Sequence, residues 1–390
     1  MNPCPGRGIT SFLNVFMTPP LKDLRTKLDT VDAQILDLLA QRQQIVQQVV
    51  EIKKKDKVPV YVAGRENEKT VRFREQARQR GIDPDWAEDF LRMMMSASRA
   101  NQSDTAFSSA TEQPKTWLFV GGGGGMGRLY ASLAARTGQQ VRVLDKDDWY
   151  RAKSLIEGAD VVILTVPINR TADVIERIAP MLSPHQILAD FTSLKAEYVA
   201  AMTAAHSGPV VGLHPMHGPD VQNVSRQLMV VCEGRQPEAS AWLIKQFELW
   251  GMRVKHADAG LHDRAMHLVQ GLRHYIALLH ASFMNRHDLK PDDMLDFSSP
   301  IYRAELMMTG RIFAQDASLY ADIVFSDEER ITLLKDFLEH HKQLAGMLAT
   351  GDKQAFIKEF EQATDFFGEF AVRALKESGY LINRLADRFG

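Results

Sequence analysis

Cysteine is nearly absent. Cys4 and Cys232 are the only two in 390 residues, too far apart for a metal-ligand or redox spacing. That scarcity argues against a disulfide framework and fits a reducing compartment, so a cytoplasmic location is expected. Long apolar runs are also missing, since none approaches the roughly 20 residues that a membrane span requires. Excess charge of either sign is lacking too: 47 Lys and Arg face 49 Asp and Glu, for a formal net charge of −2. Such a balance supplies no basic field for nucleic acid. The apolar piece Ile9 to Met17 has no sizeable basic flank and no small-residue cleavage site. Residues 1–17 are therefore expected to form a disordered extension rather than a signal peptide, with Met17 open as an alternative start.

Against these absences stands one cluster of glycine. The apolar run Trp117 to Val120 leads into five glycines, Gly121 to Gly125, followed by Met126, Gly127 and a helix-compatible stretch to Arg136. Read as G-x-G-x-x-G, the glycines are Gly122, Gly124 and Gly127, placed to turn tightly, approach a pyrophosphate and pack helix on strand. A second β-rich run, Gln140 to Leu144, ends at Asp145, about twenty residues on, where a carboxylate accepts from a ribose 2′-hydroxyl. An acid there favours NAD over NADP because it repels a 2′-phosphate. The bland alternative is a glycine-rich turn followed by a surface aspartate.

The segment from Leu21 to about Lys55 contains neither Gly nor Pro. Its apolar residues recur at spacings of three and four: Leu21, Leu24, Leu28, Val31, Ile35, Leu38, then Ile45, Val49 and Ile52. This pattern predicts one long helix with a seam for other helices. Arg42 interrupts the seam, where a guanidinium must meet an anion or carry a large desolvation cost. Lys53 returns to nearly the same face at about 100° per residue, whereas Arg25 points about a quarter turn away. One helix therefore cannot aim all three cations at one point, but two copies can, which suggests a dimer with shared sites. A second helix is expected from near Gly64, Arg65 and Glu66 to Gly81, and a third from Pro84, carrying Ser98 and Gln102 one turn apart.

Beyond Asp145 strand and helix alternate. Strands are predicted within Gly158 to Pro167, at Ile187 to Asp190, in the segment from Pro209 to Pro219, at Leu228 to Cys232 and around Arg253 to His256, with helices near Arg170 to Leu182 and Glu238 to Trp250. Ligands of such sheets bind outside the carboxyl ends of the strands. Val166 and Pro167 at the end of the third strand are candidate cofactor contacts, as is Met126 in the glycine loop. Ser193, Lys195 and His214 follow predicted strands and should line one crevice. From Gly260 onward only amphipathic helical stretches appear. The expected fold class is multidomain: an all-α domain over 18–102, a linker over 103–115, an α/β Rossmann domain over 116–258, and an all-α dimerisation domain over 259–390.

The cationic face resembles the all-helical class of chorismate mutase. Arg25, Arg42, Lys53, Arg65, Glu66, Ser98 and Gln102 match that class in type and spacing. Taken with the glycine cluster, Gly212-Leu-His-Pro-Met216 and Ser298-Ser-Pro-Ile-Tyr-Arg303, nearly the whole chain is similar to the bifunctional chorismate mutase–prephenate dehydrogenase family. The resemblance implies that the two arginines and the lysine grip the carboxylates of chorismate, with Lys53 and Gln102 donating to its ether oxygen. It further implies an NAD-dependent oxidation of prephenate on the route to tyrosine, with His214 taking the ring hydroxyl's proton and Arg311 pairing a substrate carboxylate. Ser193, Lys195, His274 and Arg303 would be supporting polar groups. A homodimer and feedback inhibition by tyrosine are implied in the same way.

Two departures are visible: Val62, where some monofunctional relatives carry Asp, and His217, where the family commonly has Phe. His214 and His217 hint at a metal pair, but no further ligand cluster completes a site, so none is expected. Arg303 and Arg311 also have a plain reading as structural ion-pair partners. Rival functions are another Rossmann hydroxyacid dehydrogenase with a helical assembly arm, and an NAD-sensing regulator; both leave the Arg42 and Lys53 face unexplained.

Overall fold

The computed structural model describes residues 19–59, 63–103 and 107–389. The expected extension over 1–17 and the departure at Val62 lie outside them. The chain divides into two compact units. One runs up to Glu112 and includes Val221–Arg226 and Lys245–Arg253; the other holds the remainder.

In the first unit, α1 (Pro19–Lys55) is one helix of 37 residues, as its lack of glycine and internal proline predicts. α2 (Ala63–Gln79) and α3 (Pro84–Ser103) follow, separated by a turn in which Gly81 takes φ +68, a conformation that suits a residue without Cβ. The Asp83 carboxylate caps α3 by accepting from the backbone N–H groups of Asp85 and Trp86, both at 2.8 Å. Ala77, Ala87, Leu91 and Met95 are buried. Arg74 ties α2 to α3 through Glu88 at 2.7 Å. Along α1 the seam stays uncovered: Leu28 is 61% exposed and Leu38 62%.

The second unit is built on a seven-stranded sheet of order β2-β1-β3-β4-β5-β6-β7. Its strands are β1 (Thr116–Val120), β2 (Gln140–Leu144), β3 (Val161–Leu164), β4 (Ile187–Asp190), β5 (Val210–Pro215), β6 (Leu228–Glu233) and β7 (Arg253–His256). β1 to β5 pair in parallel, and β6 runs antiparallel to β5. β1, β3, β4 and β5 are buried along their whole length, which is why they read as continuous apolar runs rather than alternating ones. Between them lie α4 (Gly125–Arg136), α5 (Ala152–Ile156), α6 (Thr171–Ile178), α7 (Ala196–Ala205) and α8 (Ala241–Leu249). The Ala-rich α7 carries no apolar periodicity strong enough to be foreseen.

Register places the functional end of the sheet. Val120 pairs with Leu164, Leu164 with Asp190, and Asp190 with Gly212. The glycine loop, Thr165, Phe191 and the last residues of β5, including His214, therefore emerge along one edge. The chain then continues as α9 (Ala259–Met266), a π-helical turn over His267–Leu272, and α10 (Arg273–Arg286). α11 (Pro291–Asp296), α12 (Pro300–Phe313), α13 (Ala317–Val324), α14 (Glu328–Thr350), α15 (Lys353–Phe367) and α16 (Glu369–Phe389) complete it. Among the described residues no helix is long and apolar enough to cross a membrane.

Candidate active sites

In the helical unit a cavity of about 600 Å³ lies between α1 and α3, with Arg42, Gln43 and Val46 on one wall and Phe90, Met94 and Ser98 on the other. The Arg42 guanidinium donates to the Ser98 hydroxyl at 2.5 Å and to the Met94 carbonyl at 3.3 Å. Both partners are neutral, so its charge is solvated but not cancelled. Burial pulls Arg42 below the usual arginine value.

Lys53 donates to the Pro59 carbonyl at 3.0 Å. Its ammonium is pulled below the ordinary lysine value by burial and then by Arg65, with Glu66 opposing. Lys69, absent from the sequence expectations, is pulled down by burial and by Arg42 and Arg65. The structure thus brings Arg42, Lys53, Arg65, Glu66, Lys69 and Ser98 into one electrostatic neighbourhood whose balance is positive. Its acid, Glu66, is already engaged: its carboxylate accepts from Arg99 at 2.6 Å across α2 and α3. Arg25 is exposed on α1 and does not line the cavity. Gln102 falls within α3, and its side chain lies outside the described residues.

In the sheet unit, the backbone around the glycine cluster is crowded wherever a side chain would stand. A Cβ on Gly122 would lie 2.8 Å from Val143, and one on Gly127 only 2.6 Å from Gly122 Cα. Gly124 is the N-cap of α4, so that helix begins at the loop and points its free N–H groups there. Gly121, outside the G-x-G-x-x-G reading, is the loop glycine that takes a positive φ, +81, and its missing Cβ leaves room for Val166 2.9 Å away. Both oxygens of Asp145 accept from the Gly123 N–H at 3.1 Å. A carboxylate therefore stands at the mouth of a loop that only bare backbone can line, an arrangement that fits a diphosphate with a ribose beside it. Met126 is half-buried in the first turn of α4, and Pro167 is exposed just after β3.

His214 is buried, and its imidazole is held well below the ordinary histidine value by burial, then by Lys195, His262, His217 and Arg330. It is therefore a neutral imidazole near pH 7. Its Nε2 lies 3.4 Å from Gln270 Nε2, on the π-helical turn. Lys195, expected to face a substrate, sits fully buried instead. Its ammonium binds the Asp190 carboxylate and the Thr192 hydroxyl, so an internal acid satisfies its charge. Ser193 is half-buried in the same loop.

Around the rim, His274 packs edge-on against Tyr320 at 4.8 Å between ring centroids and is lowered to about 4 by burial, then by Arg273 and Arg330. Arg311 is exposed and forms an ion pair with Asp220, the plain alternative admitted for it from sequence. Arg273, Arg311 and Asp220 all act on the Tyr320 phenol, so the four groups share one neighbourhood. Arg303 is half-buried on α12. His217 is part of the packing: its Nε2 lies 3.0 Å from the hydroxyl of fully buried Tyr130, and its Nδ1 lies 2.9 Å from the Gly218 carbonyl.

Sequence patterns did not announce Arg330. It is fully buried on α14, paired with Asp327 at 3.6 Å, and fits only because Gly271 has no Cβ; an added one would lie 2.6 Å from Arg330 Cδ. The π-helical turn that carries Gln270 and Gly271 is thus locked from below, a feature frequent at functional sites.

With this geometry in view, comparison with known proteins is informative. Residues 24–103 match the family model of chorismate mutase type II. Residues 132–236 match the nucleotide-binding domain of prephenate dehydrogenase, and residues 258–362 its dimerization domain. The chain is 40% identical over 371 residues to the T-protein of Enterobacter agglomerans, covering 95% of this chain and 99% of that protein. To the T-protein of Haemophilus influenzae it is 37% identical, covering 94% and 97%. The crystal structure of prephenate dehydrogenase from A. aeolicus with hydroxyphenyl propionate and NAD+ superposes with a TM-score of 0.51 at 16% identity, over 67% of this chain and 99% of that one. At that identity the likeness speaks to fold alone.

Proposed function

The chain belongs to the T-protein family of bifunctional chorismate mutase–prephenate dehydrogenases, and on that premise we propose which side chains carry each reaction. The enzyme rearranges chorismate to prephenate and then, with NAD, converts prephenate to 4-hydroxyphenylpyruvate in tyrosine biosynthesis.

For the rearrangement, Arg42, Lys53 and Arg65 receive the dianion, with Ser98 orienting Arg42. One C–O bond breaks as one C–C bond forms, and negative charge gathers on the ether oxygen. Lys53 and Gln102 donate there, so the chemistry needs positioned cations and no nucleophile. Glu66 receives the substrate hydroxyl. Arg25 is supplied to this site by a second copy of the chain, since one helix cannot turn it toward Arg42. The observation that carries this reading is Arg42, a guanidinium on an apolar seam whose recorded partners are neutral.

For the oxidation, His214 Nε2 accepts the ring hydroxyl's proton as hydride leaves the same ring carbon. NAD, when bound, takes that hydride. Departure of CO2 from the opposite ring carbon makes the ring aromatic, and the proton returns from His214 to the ring oxygen. Arg311 pairs with a substrate carboxylate, displacing Asp220, while Arg303, His274 and Ser193 shape the crevice. Lys195 holds the floor beneath His214. Gly122, Gly124, Met126, Gly127, Val166 and Pro167 hold the dinucleotide and Asp145 its ribose.

A homodimer is the proposed assembly. The uncovered seam of α1 and apolar residues on the last helices, among them Phe366 at 86% exposure and Leu375 at 77%, are the surfaces a second copy would bury. Feedback by tyrosine is proposed on family likeness. The test supplies chorismate without NAD and follows its ultraviolet signal, then adds NAD and follows NADH. Consumption before NAD is expected; consumption only afterwards overturns an independent mutase site.

A further inference from the structure

Behind His214 the structure holds a hydrogen-bonded chain that sequence spacing conceals. His214 Nδ1 lies 2.8 Å from Nε2 of His262 on α9, and His262 Nδ1 lies 2.7 Å from Asp263 Oδ1. Asp263 in turn accepts from the backbone N–H groups of Lys195 and Ala196, each at 2.8 Å. Burial pushes the Asp263 carboxyl up, but His262 and those two N–H groups outweigh it and leave the group below the usual carboxylate range.

These contacts determine where the protons sit. An ionised carboxylate only accepts, so His262 Nδ1 carries the hydrogen that it gives to Asp263. With His262 neutral its Nε2 is bare, and between two ring nitrogens 2.8 Å apart the donor is then His214 Nδ1. The remaining nitrogen of His214, Nε2, therefore presents a lone pair to the crevice. That is the tautomer a proton acceptor requires.

We propose that His262 and Asp263 are positioning residues for the dehydrogenase reaction, holding His214 in its Nδ1–H tautomer and sharing the charge it gains when it takes the substrate's proton. This inference rests on the reading of His214 as the base. In the step, the substrate O–H bond breaks, the proton passes to His214 Nε2, and Nδ1–H stays bonded to His262, so no further oxidant or reductant is called for. Lys195, His217, Gln270 and Arg330 also face His214, and none of them accepts from Nδ1 in the recorded contacts.

The test uses the full chain with three substitutions and the wild type. In Asp263→Ala no acceptor holds the hydrogen on His262 Nδ1, so His262 can donate from Nε2 instead and leave the hydrogen of His214 on its own Nε2. Similar substitutions behind a catalytic histidine cost on the order of 10⁴ in kcat. Here kcat for prephenate oxidation is expected to fall by at least about 10³ with KM for prephenate and NAD little changed, and with chorismate rearrangement intact as the sign of a folded chain. In His262→Gln a carbonyl oxygen can still accept from His214 Nδ1, so kcat stays within roughly tenfold of wild type. Histidine ¹⁵N spectra of the wild type should report the Nδ1–H form of His214; the Nε2–H form there overturns the proposal whether or not the variants fold. A folded Asp263→Ala enzyme oxidising at near wild-type kcat also overturns it. If His214→Asn keeps oxidation the base assignment falls; if His214→Asn loses it and Asp263→Ala does not, the relay alone falls.

Discussion

The guanidinium of Arg42 lies 2.5 Å from the hydroxyl of Ser98, which reaches it from a position 56 residues further along the chain. The same hydroxyl donates to the Met94 carbonyl at 2.7 Å, so Ser98 is anchored to its own helix while it orients a cation on another. Arg42, Lys53, Arg65 and Lys69 then form a group in which burial first, and repulsion by the arginines second, lowers the ammonium values of Lys53 and Lys69. A twice-ionised ligand relieves that repulsion, which is why such a cluster reads as a site rather than as packing.

The lowered Lys53 value has a signed consequence. Rearrangement needs the ammonium form, so mutase kcat/KM should decline as pH rises through a value below 10.5. Folding disfavours the charged form, so below the ordinary lysine value the ammonium costs stability, and Lys53→Met should raise Tm while abolishing rearrangement. A pH profile flat past 10.5, or a Tm that falls, would contradict the role given to Lys53.

The Arg311 and Asp220 ion pair sets up a competition. If a substrate carboxylate replaces Asp220 on Arg311, then Asp220→Asn lowers KM for prephenate by up to about tenfold with kcat little changed, while Arg311→Ala raises it by tenfold or more. Steady-state kinetics of both variants decide it; an Asp220→Asn enzyme with unchanged or higher KM sinks the displacement idea.

Asp145, which accepts from the Gly123 N–H in the glycine loop, is proposed to face the ribose, where a 2′-phosphate would meet its charge. Asp145→Ser should weaken NAD use about tenfold and let NADP support oxidation, while chorismate rearrangement stays unchanged. Equal NAD and NADP kinetics in the unsubstituted enzyme would remove the basis for that assignment.

The features legible in the sequence are those with local periodicity or a local violation of it. α1 could be read because its apolar residues keep helical spacing, and Arg42 stood out because it breaks that spacing. The boundaries of β2, β4 and β7 follow from short runs closed by turn residues. What could not be read depends on partners distant in the chain. Arg99 and Glu66, 33 residues apart, meet only once α2 and α3 pack. His214 and His262, 48 apart, meet only when α9 folds across the end of β5. The antiparallel direction of β6 was hidden because a buried strand has the same composition in either direction. Lys195 was expected to face substrate because it follows a strand; Asp190, closing that strand, captures it first.

The central claim is that one chain carries two chemically independent sites, and the most direct measurement assays both reactions on the same preparations of Arg42→Ala and His214→Asn. Chorismate consumption is followed without NAD, and NADH formation from supplied prephenate is followed separately. Arg42→Ala is predicted to lose rearrangement by on the order of 10³-fold and keep oxidation, and His214→Asn to lose oxidation by about 10²–10⁴ and keep rearrangement. A folded variant of either kind that loses both reactions together contradicts the claim.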